Sequence, residues 1–230
     1  MVGGFDRIII LVTDLQAAAA DYGRLLGVTP LGCTTAQGLP ALWIGLPNVA
    51  IQLVQAEVAE ARISGLVFCD PAASRPTPVP NSRGLDLALD DGASGRGYRN
   101  AHPQALSVGL SVDHLVLYTA NADDCIDLFS RQLGIRLALD KTVPAWGGRM
   151  VFLRTGKLTL EIIEPQPEKV AQDYFWGIAY QCADIEQAAA DLISRGVELS
   201  SIRAGRKPGT RVATLRSDCL GIPSLLVEPA

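Results

Sequence analysis

The chain has two histidines, His102 and His114, so three histidines cannot meet on one metal within it. His114 sits in the apolar run Val112-Asp113-His114-Leu115-Val116-Leu117-Tyr118. An imidazole there is either a hydrogen-bonded group on an inward-facing strand or a metal ligand. Glu161 interrupts a second such run, Leu158 to Ile163. An unpaired carboxylate buried there costs on the order of several kcal/mol, so Glu161 must face a partner, water or an ion. The five cysteines, Cys33, Cys69, Cys125, Cys182 and Cys219, are odd in number, widely spaced and form no CxxC pair. That argues against a disulfide framework or a zinc site and for small buried or half-buried thiols. Gly-x-Ser-x-Gly is absent. Gly92 to Gly97 carries glycines in the reverse order of a dinucleotide fingerprint and is read as having no helix after it, so it is set aside.

The elements that must position these residues repeat along the chain. Phe5-Asp6-Arg7-Ile8-Ile9-Ile10-Leu11 matches Val112 to Tyr118, and the same register lays Tyr22 on Phe129, Arg24 on Arg131, Leu26 on Leu133 and Gly27 on Gly134. Each copy opens with a β-rich run, followed by a helix start at Thr13-Asp14 or at Asn121 with Asp123 and Asp124. A helix follows and ends at Gly27 or Gly134, a residue suited to the left-handed position. Short β-rich segments close each unit: Ala41 to Ile44 and Val49 to Val54, then Met150 to Leu153 and Leu158 to Ile163. A third unit runs from Trp176 through a helix over Asp184 to Arg195, capped by Gly196, to Val212–Leu215 and Ser224–Val227. A fourth is degenerate: Gly65–Asp70 and Leu85–Leu89 keep its outer strands, while Pro71, Pro76, Pro78 and Pro80 prevent a helix between them. Residues 1–90 are thus read as an N-terminal domain, 91–110 as a Gly-, Asp-, Asn- and Ser-rich linker, and 111–230 as a C-terminal domain.

The strand around Asp113-His114, the helix ending Arg131-Gln132-Leu133-Gly134, the Gly147–Leu153 strand and the Leu160–Pro165 strand resemble the first half of a glyoxalase-like domain. Trp176 to Pro229 resembles the second half. The chain is therefore similar to the vicinal oxygen chelate superfamily, which includes glyoxalases, bleomycin-resistance proteins and extradiol dioxygenases. The resemblance implies an α+β fold of paired βαβββ modules, open mixed-sheet barrels around a cleft, with two such domains in one chain. It also implies a divalent metal (Fe, Mn, Ni, Co or Zn) held from the first and last strands of each module. Carried over by position, His114 and Glu161 are the metal ligands, and Glu161 is also the catalytic residue that moves a proton. The other module has Gly177 and Leu225 in those places, and the N-terminal copy has Arg7 and Gln52. Arg7 reads as part of an internal salt bridge or as a partner for a carboxylate-bearing ligand. Tyr118, Trp146, Arg149, Phe152, Arg154 and Tyr180 are the candidates for substrate-binding cleft walls. Among these, Pro144 to Arg149 reads either as a loop that closes over the cleft or as an ordinary connection. The basic run Arg203 to Arg211 reads as a solvated loop.

A formal charge of −4 and a pI near 5.2 give no attraction for phosphate backbones or anionic lipid, so nucleic acid and membranes are not expected partners. No apolar stretch approaches the roughly 20 residues of a membrane span, and the first residues lack signal-peptide character, so a cytoplasmic location is expected. The expected partner is a small-molecule ligand, and the resemblance leaves room for a homodimer. Three functions stay open: a metal-dependent lyase, isomerase or dioxygenase; a metal-free binding protein like the antibiotic-sequestering members; and a non-catalytic structural or partner-binding protein.

Overall fold

The computed structural model describes residues 2–101, 109–216 and 219–230. His102 and residues 103–108 of the stretch read as linker lie outside the described residues. The fold is α+β and consists of two glyoxalase-like domains, each built on one mixed sheet.

The N-terminal sheet contains β1 (Gly4–Val12), β2 (Leu31–Thr34), β3 (Pro40–Gly45), β4 (Ala50–Gln55), β5 (Arg62–Cys69), β6 (Thr77–Pro78) and β7 (Asp86–Asp90), in the order β2-β3-β4-β1-β5-β7-β6. Strand β1 runs parallel to β4, an arrangement that needs a crossover, and α1 (Leu15–Leu26) supplies it. The Asp14 carboxylate accepts from Gln16 N and Ala17 N at 2.8 and 3.1 Å, and Gly27 closes the helix at φ +67°. The degenerate unit keeps its parallel pair, β5 with β7. Its proline-rich connection forms only the two-residue β6.

The C-terminal sheet holds two complete βαβββ modules. The first comprises β8 (Ser111–Tyr118), α3 (Ala122–Ile126), β9 (Arg136–Val143), β10 (Gly148–Thr155) and β11 (Leu158–Pro165). The second comprises β12 (Tyr174–Gln181), α4 (Ile185–Ser194), β13 (Arg203–Ala204), β14 (Arg211–Leu215) and β15 (Ser224–Glu228). The order is β13-β14-β15-β12-β8-β11-β10-β9, and the modules meet at the antiparallel β8–β12 pair. Asn121 and Asp184 cap α3 and α4 through backbone N–H groups, as the start signals predict for Asn121. Over Asp127–Gln132 the α3 helix widens into a π-helical stretch. Strand β9 is almost wholly exposed, and Leu137, Leu139 and Val143 give it a partial apolar alternation.

One apolar core runs along the helix-facing side of both sheets and includes Tyr22, Phe68, Phe129 and Tyr180. A buried polar latch joins the domains beside it. Arg83, just before β7, donates to both oxygens of Asp173 at 2.8 and 2.5 Å and to Thr119 Oγ1 at 3.3 Å.

The stretch read as a linker departs from expectation. Ala93–Ala101 forms a helix, α2, on the face of the N-terminal sheet opposite the core. The dismissal of a helix after Gly92 is thereby corrected. Its glycines carry no helical preference of their own; packing makes the helix. A Cβ on Gly95 would lie 2.1 Å from an Asp6 carboxylate oxygen, and one on Gly45 would lie 2.4 Å from Tyr98 O. Glycine at these two places is what allows the helix and sheet to approach.

Candidate functional site

Strand alternation sorts the C-terminal sheet into two faces. Leu115 and Leu117 point into the core, while His114, Val116 and Tyr118 point to the opposite, open face. Hydrogen-bonded register then lines up rows across that face. Arg154 pairs with Thr159, and Thr159 with His114. Phe152 pairs with Glu161, and Glu161 with Val116. Met150 pairs with Ile163, and Ile163 with Tyr118.

His114 and Glu161 meet as the resemblance implies, with Nε2 and Oε2 3.3 Å apart. The other ring nitrogen, Nδ1, lies 2.7 Å from an Asp113 carboxylate oxygen, so the imidazole is held between two carboxylates. Burial pushes its pKa down. The Asp113 hydrogen bond and the charges of Glu161 and Asp113 outweigh burial, and the net shift is upward. This residue therefore favours the protonated form more than a free histidine does. Asp113 has no signal in the sequence, because neighbours on a strand normally face opposite ways.

The second module offers no donor at the matching positions. In the first module, His114 pairs with Thr159 two residues before Glu161. In the second, Ile178 pairs with Ser224, a register that sets Gly177 and Leu225 in the matching relation. The neighbours Ala179, Val212, Leu225 and Val227 form one apolar cluster. A side chain at Gly177 is physically excluded, since its Cβ would sit 2.3 Å from Pro223 O. Among the described residues, no group of three or more His, Cys, Asp or Glu is arranged to hold a metal ion. Catalytic zinc sites usually use three protein ligands, and His114 with Glu161 fall short of that number. By themselves these two side chains are too few for a resident catalytic metal, and a bound ligand's own oxygens would have to complete its shell.

The same open face carries an aromatic cluster. Tyr118 stacks on Tyr174 with ring centroids 5.6 Å apart and meets Trp176 edge-on at 5.7 Å. Tyr174 and Trp176 are exposed. Trp146 and Phe152 pack beside the Val116, Met150 and Ile163 cluster. Gly147 and Gly148, at φ +96° and +148°, make the turn that returns the chain from Trp146 into β10; no Cβ fits at Gly148, 2.1 Å from Glu164 O.

Of the six cleft-wall candidates, Tyr118, Trp146, Phe152 and Arg154 lie on this face. The other two need correction. Arg149 turns to the opposite side of β10 and is held by Asp140 at 2.9 and 2.8 Å and by Asp123 at 2.9 Å. Tyr180 is fully buried in the core. Strand parity forces both outcomes: Arg149 is three residues from Phe152, and Tyr180 is three from Gly177.

The equivalent N-terminal face is already filled. Trp43 pairs with Gln52 as Phe152 pairs with Glu161. Tyr98 of α2 stacks on Trp43 with centroids 4.0 Å apart and planes 7° from parallel. Arg7 lies over the same indole at 5.4 Å and makes ion pairs with Asp6 and Asp90 at 2.5 and 3.0 Å. Of the two readings of Arg7, the internal salt bridge is the one realised.

Comparison with known proteins agrees with this architecture. Residues 113–214 match the model of the Glyoxalase/Bleomycin resistance protein/Dioxygenase superfamily. No curated protein matches the sequence. Among solved structures, a mutant of 4-hydroxymandelate synthase from Streptomyces coelicolor is similar over 99% of this chain and 93% of its own, with TM-score 0.75 and 13% identity. Methylmalonyl-CoA epimerase from Mycobacterium tuberculosis aligns over 52% of this chain and 87% of its own, with TM-score 0.45 and 23% identity. The first likeness extends the two-domain fold over the whole chain; at such identities the likeness concerns fold alone.

Proposed function

We propose that the C-terminal domain, whose residues 113–214 match the model of the Glyoxalase/Bleomycin resistance protein/Dioxygenase superfamily, binds a small organic molecule on its open face without a resident metal. The observation that carries this reading is the asymmetry of the cleft. The His114 imidazole and the Glu161 carboxylate stand on one module, beside Gly177, Ala179 and Leu225 at the neighbouring positions of the other, and aromatic rings flank them. Such a surface holds an organic ligand by apolar contact and fixes its orientation through a few polar atoms.

In this reading His114 is the anchor. Asp113 fixes the ring through Nδ1, leaving Nε2 to donate to a ligand oxygen, with Glu161 beside it to accept a ligand hydroxyl or to take the proton back. The pair is equipped for proton exchange with a bound molecule. Phe152 and Tyr118 supply the flat contacts.

One observation favours a second reading, a divalent metal bound by His114 and Glu161 with its shell completed by the ligand. A separation of 3.3 Å suits two donors that each lie about 2.1 Å from one ion. Metal analysis of protein purified without chelator or His-tag, alongside His114→Ala and Glu161→Ala, separates the two. The metal-free reading expects no near-stoichiometric Fe, Mn, Ni, Co or Zn, and thermal stabilisation by organic ligands but not by added metal. Stoichiometric metal that is lost in both variants refutes it.

A further inference from the structure

Two cations converge on Trp146 from opposite modules. Lys141 of β9 places Nζ 5.0 Å from the indole centroid, and Arg206, in the connection from β13 to β14, places Cζ 5.9 Å from it. Neither belongs to an ion pair among the described residues, whereas Arg7, Arg83, Arg149 and Arg211 all do. Two like charges on one ring repel each other, and a cation–π contact at an exposed site returns only about 0.5–1 kcal/mol. The arrangement is therefore incomplete electrostatically: an anion between the two would satisfy both. Arg206 also acts on Tyr118. Burial, Tyr174 and Glu161 push the phenol pKa up, and the guanidinium charge pulls against them. Tyr118 thus stands between the His114–Glu161 pair and the cationic rim.

We propose that the ligand of the cleft is an organic anion, a carboxylate or a phosphate monoester. Its charged group docks between Lys141 and Arg206 against Trp146, and its apolar body lies along Tyr118 and Phe152 toward His114. The Arg206 fork matches either oxyanion through paired N–H bonds, with Lys141 acting as a point charge beside it. This proposal rests on the small-molecule reading and gives it a chemical class. The basic run Arg203 to Arg211, read from the sequence as a solvated loop, becomes one wall of the site.

The test is an NMR titration that follows the Trp146 indole N–H, assigned by its loss in Trp146→Phe. Three probes of one shape are used: phenylacetate, phenyl phosphate and the neutral phenylacetamide. At least one anion is expected to bind about tenfold or more tightly than the amide, since a charge-assisted bond is stronger than a neutral one. That preference should fall with added salt and disappear in Arg206→Gln and Lys141→Gln, whose melting temperatures should stay unchanged. Which anion gains more separates carboxylate from phosphate. Amide binding as tight as that of both anions overturns the anion inference and leaves the small-molecule reading standing. Absence of binding by all three overturns both.

Discussion

Replacing Arg83 with Met removes the guanidinium that joins the two domains and keeps most of the apolar stem. The Asp173 carboxylate that it leaves behind has no solvent exposure, while the Arg83 side chain is 16% exposed. Breaking a fully buried pair costs about 3–5 kcal/mol, because one charge stays buried alone. Here Asp173 keeps the Thr119 hydroxyl at 2.9 Å and the Ala120 N–H at 3.3 Å. The expected loss is therefore smaller, about 2–3 kcal/mol. The arm to Asp124, which is 47% exposed, adds little. For a chain of this size the melting temperature should fall by about 4–12 °C. The pH dependence adds an independent check. Burial pushes the Asp173 carboxyl up, but Arg83, Thr119 and the Ala120 N–H hold it below the usual carboxylate range. Its stabilisation is present above the unfolded carboxylate pKa and is lost as pH falls through the folded one, so the gap between wild type and variant should close in acid. Urea unfolding at pH 7 and at pH 3 to 4 measures both. Arg83→Met with Asp173→Asn should cost less than the sum of the single changes. An unchanged urea midpoint in Arg83→Met, or a gap that widens in acid, would refute the reasoning.

Other positions give equally direct outcomes. The raised His114 pKa means its ion pairs stabilise the fold below the unfolded histidine pKa and cease to do so as pH rises through the folded one. His114→Gln should therefore be more destabilising near pH 5.5 than near pH 9, as compared by urea midpoints. Gly177→Ala drives a Cβ against Pro223 O and should cost about 1–3 kcal/mol as β12 and β15 separate; a neutral result would remove the steric argument for an apolar half-cleft. Tyr98→Ala should cost about 1–2 kcal/mol and shift Trp43 emission to the red as α2 loosens, measured against Trp43→Phe as the spectral blank. Cys125 is buried, and its thiol is pushed up to about 12 by burial first and by Asp173. In the native protein it should resist alkylation while the half-buried Cys33 and Cys69 react, and Arg83→Met should raise its labelling rate.

Much of the fold is legible in the sequence because its signals are local. The repeat offset, the caps Asp14 and Asn121, the closing Gly27 and Gly134 and the parallel-strand runs each depend on residues a few positions apart. Strand parity was also available: with His114 and Glu161 on the open face, Phe152 and Arg154 follow, and Arg149 and Tyr180 are excluded. Two departures lie beyond local reading. Helix α2 has poor intrinsic propensity and exists because Tyr98 finds Trp43 and because Gly45 and Gly95 leave room for it. Strand β9 is almost wholly exposed, so burial does not select it, and it is held by its pairing with β10.

The site divides the same way. Sequence by itself determined which residue types are present: one imidazole and one carboxylate on matching strands, and no donors at Gly177 and Leu225. Tertiary structure alone decided that Asp113 turns back to hold His114, that Pro223 O closes the space beside Gly177, and that Arg206 reaches Trp146 from the other module. The first is a side-chain turn between adjacent residues that strand alternation does not foresee, while the other two depend on how strands and modules approach across space. Coulombic and steric terms there act over a few ångströms between residues tens of positions apart, a separation that no local pattern records.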